Sequence, residues 1–210
     1  MITAVLGAPG SGKSTLAQPL AALLPTHVVL DWDIFMEPAA ALAGRQIVGH
    51  PETWSAYREL VGAVVSTVAH LPVVLLTVCT PDELPSWPID VWVLLDCSDQ
   101  ERRQRLAKQA SQDRLAEGIH DAAEDRSLGL PVIDTTGHTP AEVAADLARF
   151  VLRLEQGEGE TDLAASSLSG CRFGCSGSAA DPLTCWPRLL KAAPGCWAVP
   201  AASGLVQLRC

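Results

Sequence analysis

The chain has 210 residues, 48% of them apolar, and a formal net charge of −9. That length and apolar content suffice for one α/β domain with a sizeable core and an appendage. The acidic balance argues against a general nucleic-acid binder, which carries a basic footprint, and no apolar run is long enough to cross a bilayer.

Ile2–Leu6 is an apolar run that predicts a strand. No charged n-region or apolar h-region precedes it, so no secretory signal is visible and a soluble, cytoplasmic protein is expected. Gly7-Ala8-Pro9-Gly10-Ser11-Gly12-Lys13-Ser14-Thr15 follows directly and fits G-x-x-x-x-G-K-[ST]. Ser14–Leu24 then predicts an amphipathic helix, and strand, loop and helix in that order are the context the motif requires. Glycines let such a loop curl until its backbone N–H groups point inward at phosphate oxygens. The helix adds the positive end of its dipole. Lys13 supplies a point charge for the β- and γ-phosphates and Ser14 a hydroxyl ligand for Mg²⁺. The expected ligands are ATP and Mg²⁺, with Gly7 through Thr15 as the binding loop.

Further along, His27–Leu30 predicts a second strand ending at Asp31. Glu37–Ala43 and, after Pro51, Glu52–Ala69 predict helices. Val73–Val78 and Val91–Leu95 are continuous apolar runs, the pattern of strands buried on both faces. Ser98-Asp99-Gln100-Glu101 is a capping-box signature that opens a helix to about Gln109. Residues 110–118 carry mixed charge and end in Gly118, after which Ile119–Leu128 returns to a helical pattern. Pro131–Ile133 predicts a short strand, and Thr139-Pro140-Ala141-Glu142 a second capping box opening a helix to about Leu154. Strands alternating with helices predict a three-layer α/β/α domain over residues 1–154, with a parallel sheet covered on both faces. Right-handed crossovers put ligands at the carboxyl ends of the strands. The phosphate loop, Asp31 and the segment after Val78 all lie there.

Residues 155–210 change character. Gln156-Gly157-Glu158-Gly159-Glu160 is linker-like, and Ser, Gly, Ala, Pro and Cys dominate beyond it, with only Trp186–Ala193 hinting at a helix. An irregular, mostly disordered tail is expected, whose protein partner the sequence does not name. Cys79 and Cys97 lie in strand contexts and are expected to be buried thiols. Cys171, Cys175, Cys185, Cys196 and Cys210 crowd the tail without C-x-x-C spacing, which supports zinc poorly, and a reducing cytoplasm disfavours disulfides.

Several other side chains carry possible chemistry. Asp31 and Asp33 flank Trp32, and in an extended chain residues two apart point to one side. Two carboxylates beside a phosphate loop suit two tasks. One organises Mg²⁺ and the other accepts a proton from an attacking hydroxyl. Asp33 is assigned the base and Asp31 the metal side, although either order fits the sequence. Arg102 and Arg105 share a helical face with Arg103 beside them, placed to clamp phosphate or stack on a base, and Arg105 is the stronger candidate. Arg126 on the next helix is a candidate second phosphate clamp. Arg45, Trp54, Tyr57 and Arg58 suit the wall of a polar or ring-shaped substrate, while ordinary core packing explains Trp54 and Tyr57 equally well. Thr77 and Thr80 either bond ligand or satisfy backbone. The five histidines have no metal-ligand spacing and are taken as structural or surface residues.

With these residues placed, positions 1–154 resemble the small-molecule kinase branch of the P-loop fold, which includes adenylate, shikimate and gluconate kinases and chloramphenicol phosphotransferase, and more broadly an AAA-type ATP-binding domain. The resemblance rests on the phosphate loop, on Asp31-Trp32-Asp33, on Leu94 through Leu106 as the strand and helix leading into a lid, and on Val132-Ile133-Asp134-Thr135-Thr136 with the helix after it. It implies a five-stranded parallel sheet in the order 2-3-1-4-5 and places Arg105 at the arginine that commonly lies against adenine. A second lid arginine is common four residues later, where this chain has Gln109, with Lys108 or Arg114 as substitutes. No D-x-x-G follows the third strand, which weakens a GTPase reading. The resemblance therefore implies an ATP-dependent phosphotransferase acting on a small hydroxyl-bearing or nucleotide-like acceptor. The alternative is a nucleotide-binding module or slow ATPase that works through a protein partner.

Overall fold

The computed structural model describes residues 1–107, 112–157, 197–200 and 206–209. β1 (Ile2–Leu6), β2 (Val28–Asp31), β3 (Val73–Thr77), β4 (Val91–Asp96) and β5 (Val132–Asp134) form one sheet in the order β2-β3-β1-β4-β5. Every pairing in it is parallel, as expected. The crossovers run through α1 (Lys13–Leu23), then α2 (Met36–Ala43) and α3 (Pro51–Val68), then α4 (Asp99–Ala107) and α5 (Gln112–Ser127), and α6 (Pro140–Glu155) follows β5. No helix among the described residues is long and apolar enough to cross a membrane.

Strand alternation divides the core in two. Val74 and Leu76 of β3 face Leu16 and Leu20 of α1 and Val143, Leu147 and Val151 of α6. Val73 and Leu75 face the other way, toward Tyr57, Val61 and Val65 of α3. Both faces of β3 are therefore buried, which is why its sequence is a continuous apolar run. On α3 the buried side chains recur every four residues, one stripe of a surface helix. Register then positions the site. Asp31 pairs with Leu76, which pairs with Val5, so β2 ends level with the last turn of chain before the loop at Gly7.

Three local features depart from the sequence expectations. The chain leaves β2 at Asp31 and winds at once into a 3-10 turn, Trp32–Phe35, because the Asp31 carboxylate accepts the Asp33 N–H at 3.1 Å. The Ser98 box is half made. Ser98 Oγ accepts the Glu101 N–H at 3.3 Å, but the Glu101 carboxylate turns to Arg105 and to the Gly137 N–H instead of back to Ser98. The Thr139–Glu142 box forms in both directions. Lastly, α5 runs unbroken through Gly118, which was expected to end a separate stretch.

Gly118 is there for close approach rather than for a turn. A Cβ at that position would lie 3.0 Å from Leu106 Cδ1 and 3.4 Å from the Pro9 carbonyl oxygen, so its absence lets α5 press against the phosphate loop. Gly118→Val would gain helix propensity and still lose, because the added side chain crowds Leu106 and Pro9. It is expected to destabilise the protein by about 1–3 kcal/mol in a denaturant unfolding curve.

The chain divides into two units, residues 1–169 and 170–210. In the second, β6 (Trp197–Pro200) pairs antiparallel with β7 (Val206–Arg209), two strands that the tail's composition did not foreshadow. The helix expected at 186–193 and the five tail cysteines lie outside the described residues. Cys79 and Cys97 are buried free thiols, as expected, and burial pushes the Cys79 thiol up to about 12.

Candidate active site

The loop from Gly7 to Gly12 curls between β1 and α1 on two left-handed glycines, Gly10 (φ 81°) and Gly12 (φ 103°). Gly7 serves close approach, since a Cβ there would stand 2.7 Å from the Leu95 carbonyl oxygen. Ala8 and Ser11 are buried, and the Ser11 N–H closes a turn onto the Ala8 carbonyl at 3.1 Å. Lys13 is 7% exposed, and its ammonium donates to the Gly7 carbonyl. Burial pushes Lys13 down to about 8, opposed by the charges of Asp33, Asp125 and Asp31. The amine is still cationic at neutral pH. Ser14 and Thr15 are exposed at the start of α1, where a hydroxyl can reach a metal ion, and Thr15 Oγ1 donates to the Gly12 carbonyl at 2.6 Å.

The charges of Asp31 and Asp33 both act on Lys13. They do so by a different route from strand alternation, because only Asp31 is extended and Asp33 sits in the 3-10 turn. Trp32 between them is buried and fixes that turn. It packs edge-on against Tyr57 at 5.5 Å and lies 5.7 Å from Trp87 and 6.0 Å from Trp54. The Tyr57 hydroxyl donates to the Trp32 carbonyl, and burial raises the phenol above its ordinary range, so it stays protonated. Tyr57 is buried and Trp54 half-buried, both packed against Trp32. Tyr57→Phe is expected to destabilise the fold by about 1–2 kcal/mol, measured in urea, because a buried carbonyl loses its donor.

The other candidates are spread out. Arg45 pairs with Glu52 at 2.8 Å, both exposed, and Arg58 donates to the Glu83 carbonyl at 3.1 Å. Arg126 is held at the end of β4. Its guanidinium grips Asp96 (2.6 Å), Asp99 (2.9 Å) and the Cys97 carbonyl (2.9 Å), the nearest acceptors at the end of β4. Thr77 accepts the Cys79 N–H and Thr80 bonds Glu83, so both satisfy local structure. Lys108 and Gln109 lie outside the described residues, as does the Arg114 side chain. Among the described residues no three metal-ligating side chains cluster.

Arg105 belongs to the loop. Its Nη1 donates to the Gly10 and Ser11 carbonyls and to Thr135 Oγ1, and its Nη2 to Glu101 and the Thr135 carbonyl. These bonds anchor the guanidinium to the loop and to the chain after β5. Three contributors carried no local sequence signal. Thr135 joins β5 to the loop. Asp96 accepts from both Arg102 and Arg126. Asp125 is a buried carboxylate on α5, pushed up to about 6 by burial against the pull of Lys13 and Arg102.

Residues 4–127 match the family described as AAA domain. The chain belongs to that family. Among solved structures, this AAA domain is similar to TT1252 from Thermus thermophilus, with 21% identity, a TM-score of 0.53, and coverage of 74% of this chain and 97% of that one. It is also similar to a gluconokinase from Sinorhizobium meliloti 1021, with 15% identity, a TM-score of 0.52, and coverage of 74% and 93%. No curated protein matches the sequence. At these identities the likeness is one of fold, and the fold is that of the P-loop kinases, in agreement with the resemblance drawn from the motifs.

Proposed function

We propose that this AAA domain is an ATP-dependent phosphotransferase that moves the γ-phosphate to a small hydroxyl-bearing or nucleotide-like acceptor. One observation supports the proposal: the charges of Asp31 and Asp33 both act on the buried ammonium of Lys13, beside a loop turned on two left-handed glycines. A plain phosphate-binding loop has no need of a carboxylate held on a separately braced turn. The gluconokinase fold neighbour supports a kinase, and the acceptor is left as a chemical class.

In this reading Lys13 and the amides of Ala8, Gly10, Gly12, Lys13 and Ser14 hold the β- and γ-phosphates, while the Ser11 and Thr15 amides brace the loop on its own carbonyls. Ser14 Oγ and Asp31 would hold Mg²⁺, and their hydroxyl and carboxylate oxygens are the hard donors that ion takes. When bound, Mg²⁺ neutralises phosphate charge. Asp33, exposed beside the loop, orients the acceptor hydroxyl and takes its proton. Arg105 presents its flat face to the adenine. Phosphoryl transfer needs little more than such positioning and charge.

The test is ADP release from Mg·ATP by the purified protein, with and without a panel of nucleosides, nucleotides, sugar acids and hydroxylated antibiotics. A kinase shows acceptor-dependent release. Slow release that no acceptor stimulates would instead favour the nucleotide module.

A further inference from the structure

Arg102 sits on α4 with 0% exposure, on the carbonyl side of the phosphate loop. Taking a guanidinium out of water is costly unless its donors are met. Here Nη1 donates to the carbonyls of Ala8 (3.3 Å) and Pro9, and Nη2 to Asp96 Oδ1 at 2.5 Å, while the buried Nε has no partner, so the loop contacts carry most of the compensation. Asp96 in turn accepts Arg126 Nε on its other oxygen at 2.6 Å. The stem of Arg102 fills the space beside Gly10, where an added Cβ would lie 3.1 Å from Arg102 Cγ.

What this does to the loop follows from the peptide bond. A trans peptide is planar, so its C=O and N–H point in opposite directions. With the Pro9 carbonyl held by Arg102, the Gly10 N–H must point to the other side of the loop. The Ala8 carbonyl belongs to the peptide of Pro9, which has no N–H. Holding that carbonyl fixes the path of the chain without aiming a donor. A charge on the carbonyl also polarises the Pro9–Gly10 peptide and makes its N–H a better donor. Two left-handed glycines leave the loop free to adopt other shapes, and a site aimed in advance avoids that reorganisation when phosphate binds.

We infer that Arg102 is a positioning residue of the phosphate site: it holds the Pro9 carbonyl so that the Gly10 amide points into the cradle, and through Asp96 it ties the cradle to Arg126 on α5. The inference rests on the proposed ATP site. It also separates Arg102 from Arg105, whose contacts are to the next two carbonyls, Gly10 and Ser11.

A purely structural role would make affinity follow stability, because removing one partner of a buried pair destabilises the fold. R102M removes the donors to the loop while keeping the apolar stem, and leaves Asp96 with Arg126 as its partner. R102K keeps the charge but cannot span both the loop carbonyls and Asp96 from one nitrogen. Calorimetric titration of wild type, R102M and R102K with ATP and with inorganic tripolyphosphate, alongside their unfolding midpoints, decides the matter. The expected result is a loss of about tenfold or more in affinity for both ligands in R102M. R102K should recover part of it, in an order that does not follow the unfolding midpoints. Folded R102M with wild-type affinity overturns the inference. Should R102M not fold, R102K decides: weakened binding supports the inference and unchanged binding overturns it. A wild type that binds neither ligand overturns the ATP site itself, and the inference with it.

Discussion

Lys13→Met is expected to abolish ATP binding and yet raise the unfolding midpoint at pH 7. The two effects come from one cause. Lys13 is buried so that its charge meets phosphate in a site with little water, where a point charge is worth most. Its removal should lower nucleotide turnover by about 10³-fold, the scale of a lost charge contact to a transferring phosphoryl group. Without ligand the same burial is a burden. The amine is pushed down to about 8 from 10.5, which opposes folding by about 3 kcal/mol at pH 7. Methionine removes that burden. The Gly7 carbonyl loses its donor, which returns about 1 kcal/mol, so a net gain of several degrees remains. The pH dependence has a definite sign. Between 8 and 10.5 the unfolded chain holds the Lys13 proton and the folded chain does not, so wild-type stability rises with pH across that window. Below 8 the penalty is complete and constant. The advantage of Lys13→Met is therefore full at pH 7 and shrinks at pH 9.5, which circular dichroism melts at the two values can check. A variant less stable than wild type at pH 7 would contradict this account of the site.

Asp33→Asn should reduce phosphoryl transfer by about 10²–10⁴-fold, the range expected for loss of a general base. Asn keeps the size of Asp, so the braced turn should survive. ATP should bind at least as tightly, because a negative charge near the phosphates has gone. Asp31→Asn is the informative comparison. If Asp31 serves the metal side, that variant needs more Mg²⁺ for the same rate, and saturating Mg²⁺ restores much of it. Single-turnover transfer to whichever acceptor stimulates ADP release, at several Mg²⁺ concentrations, separates the two roles. Wild-type transfer by Asp33→Asn would remove it as the base.

The parts of this molecule that were legible in the sequence are those encoded by near neighbours or by burial period. The loop is a contiguous motif, β3 and β4 are apolar on both faces, and alternation of elements leads to a parallel sheet, whose strand order came from the family resemblance. What escaped depends on partners far along the chain. Arg102 and Arg126 read alike as helix-face cations. Their different fates are set by acceptors at Ala8 and Pro9, 93 or more positions away, and at Asp96. Asp125 lies in a polar helix, and nothing local shows that α5 turns it inward. Gly118 looks like a helix stop until Pro9 is seen against it. The extended-chain argument for Asp31 and Asp33 put both near the loop for an incomplete reason. A cap at Asp31 ends the strand, and an aromatic cluster drawn from α3 and the loop before β4 holds the turn that follows.

The most direct measurement is calorimetric titration of the wild-type protein with ATP and with AMP in the presence of Mg²⁺ at pH 7. A cradle built on Lys13 and the loop amides grips the β- and γ-phosphates that AMP lacks. ATP should therefore bind about 100-fold more tightly than AMP, in keeping with several charge-assisted hydrogen bonds. Equal affinity for the two nucleotides, or no binding of ATP, would contradict it.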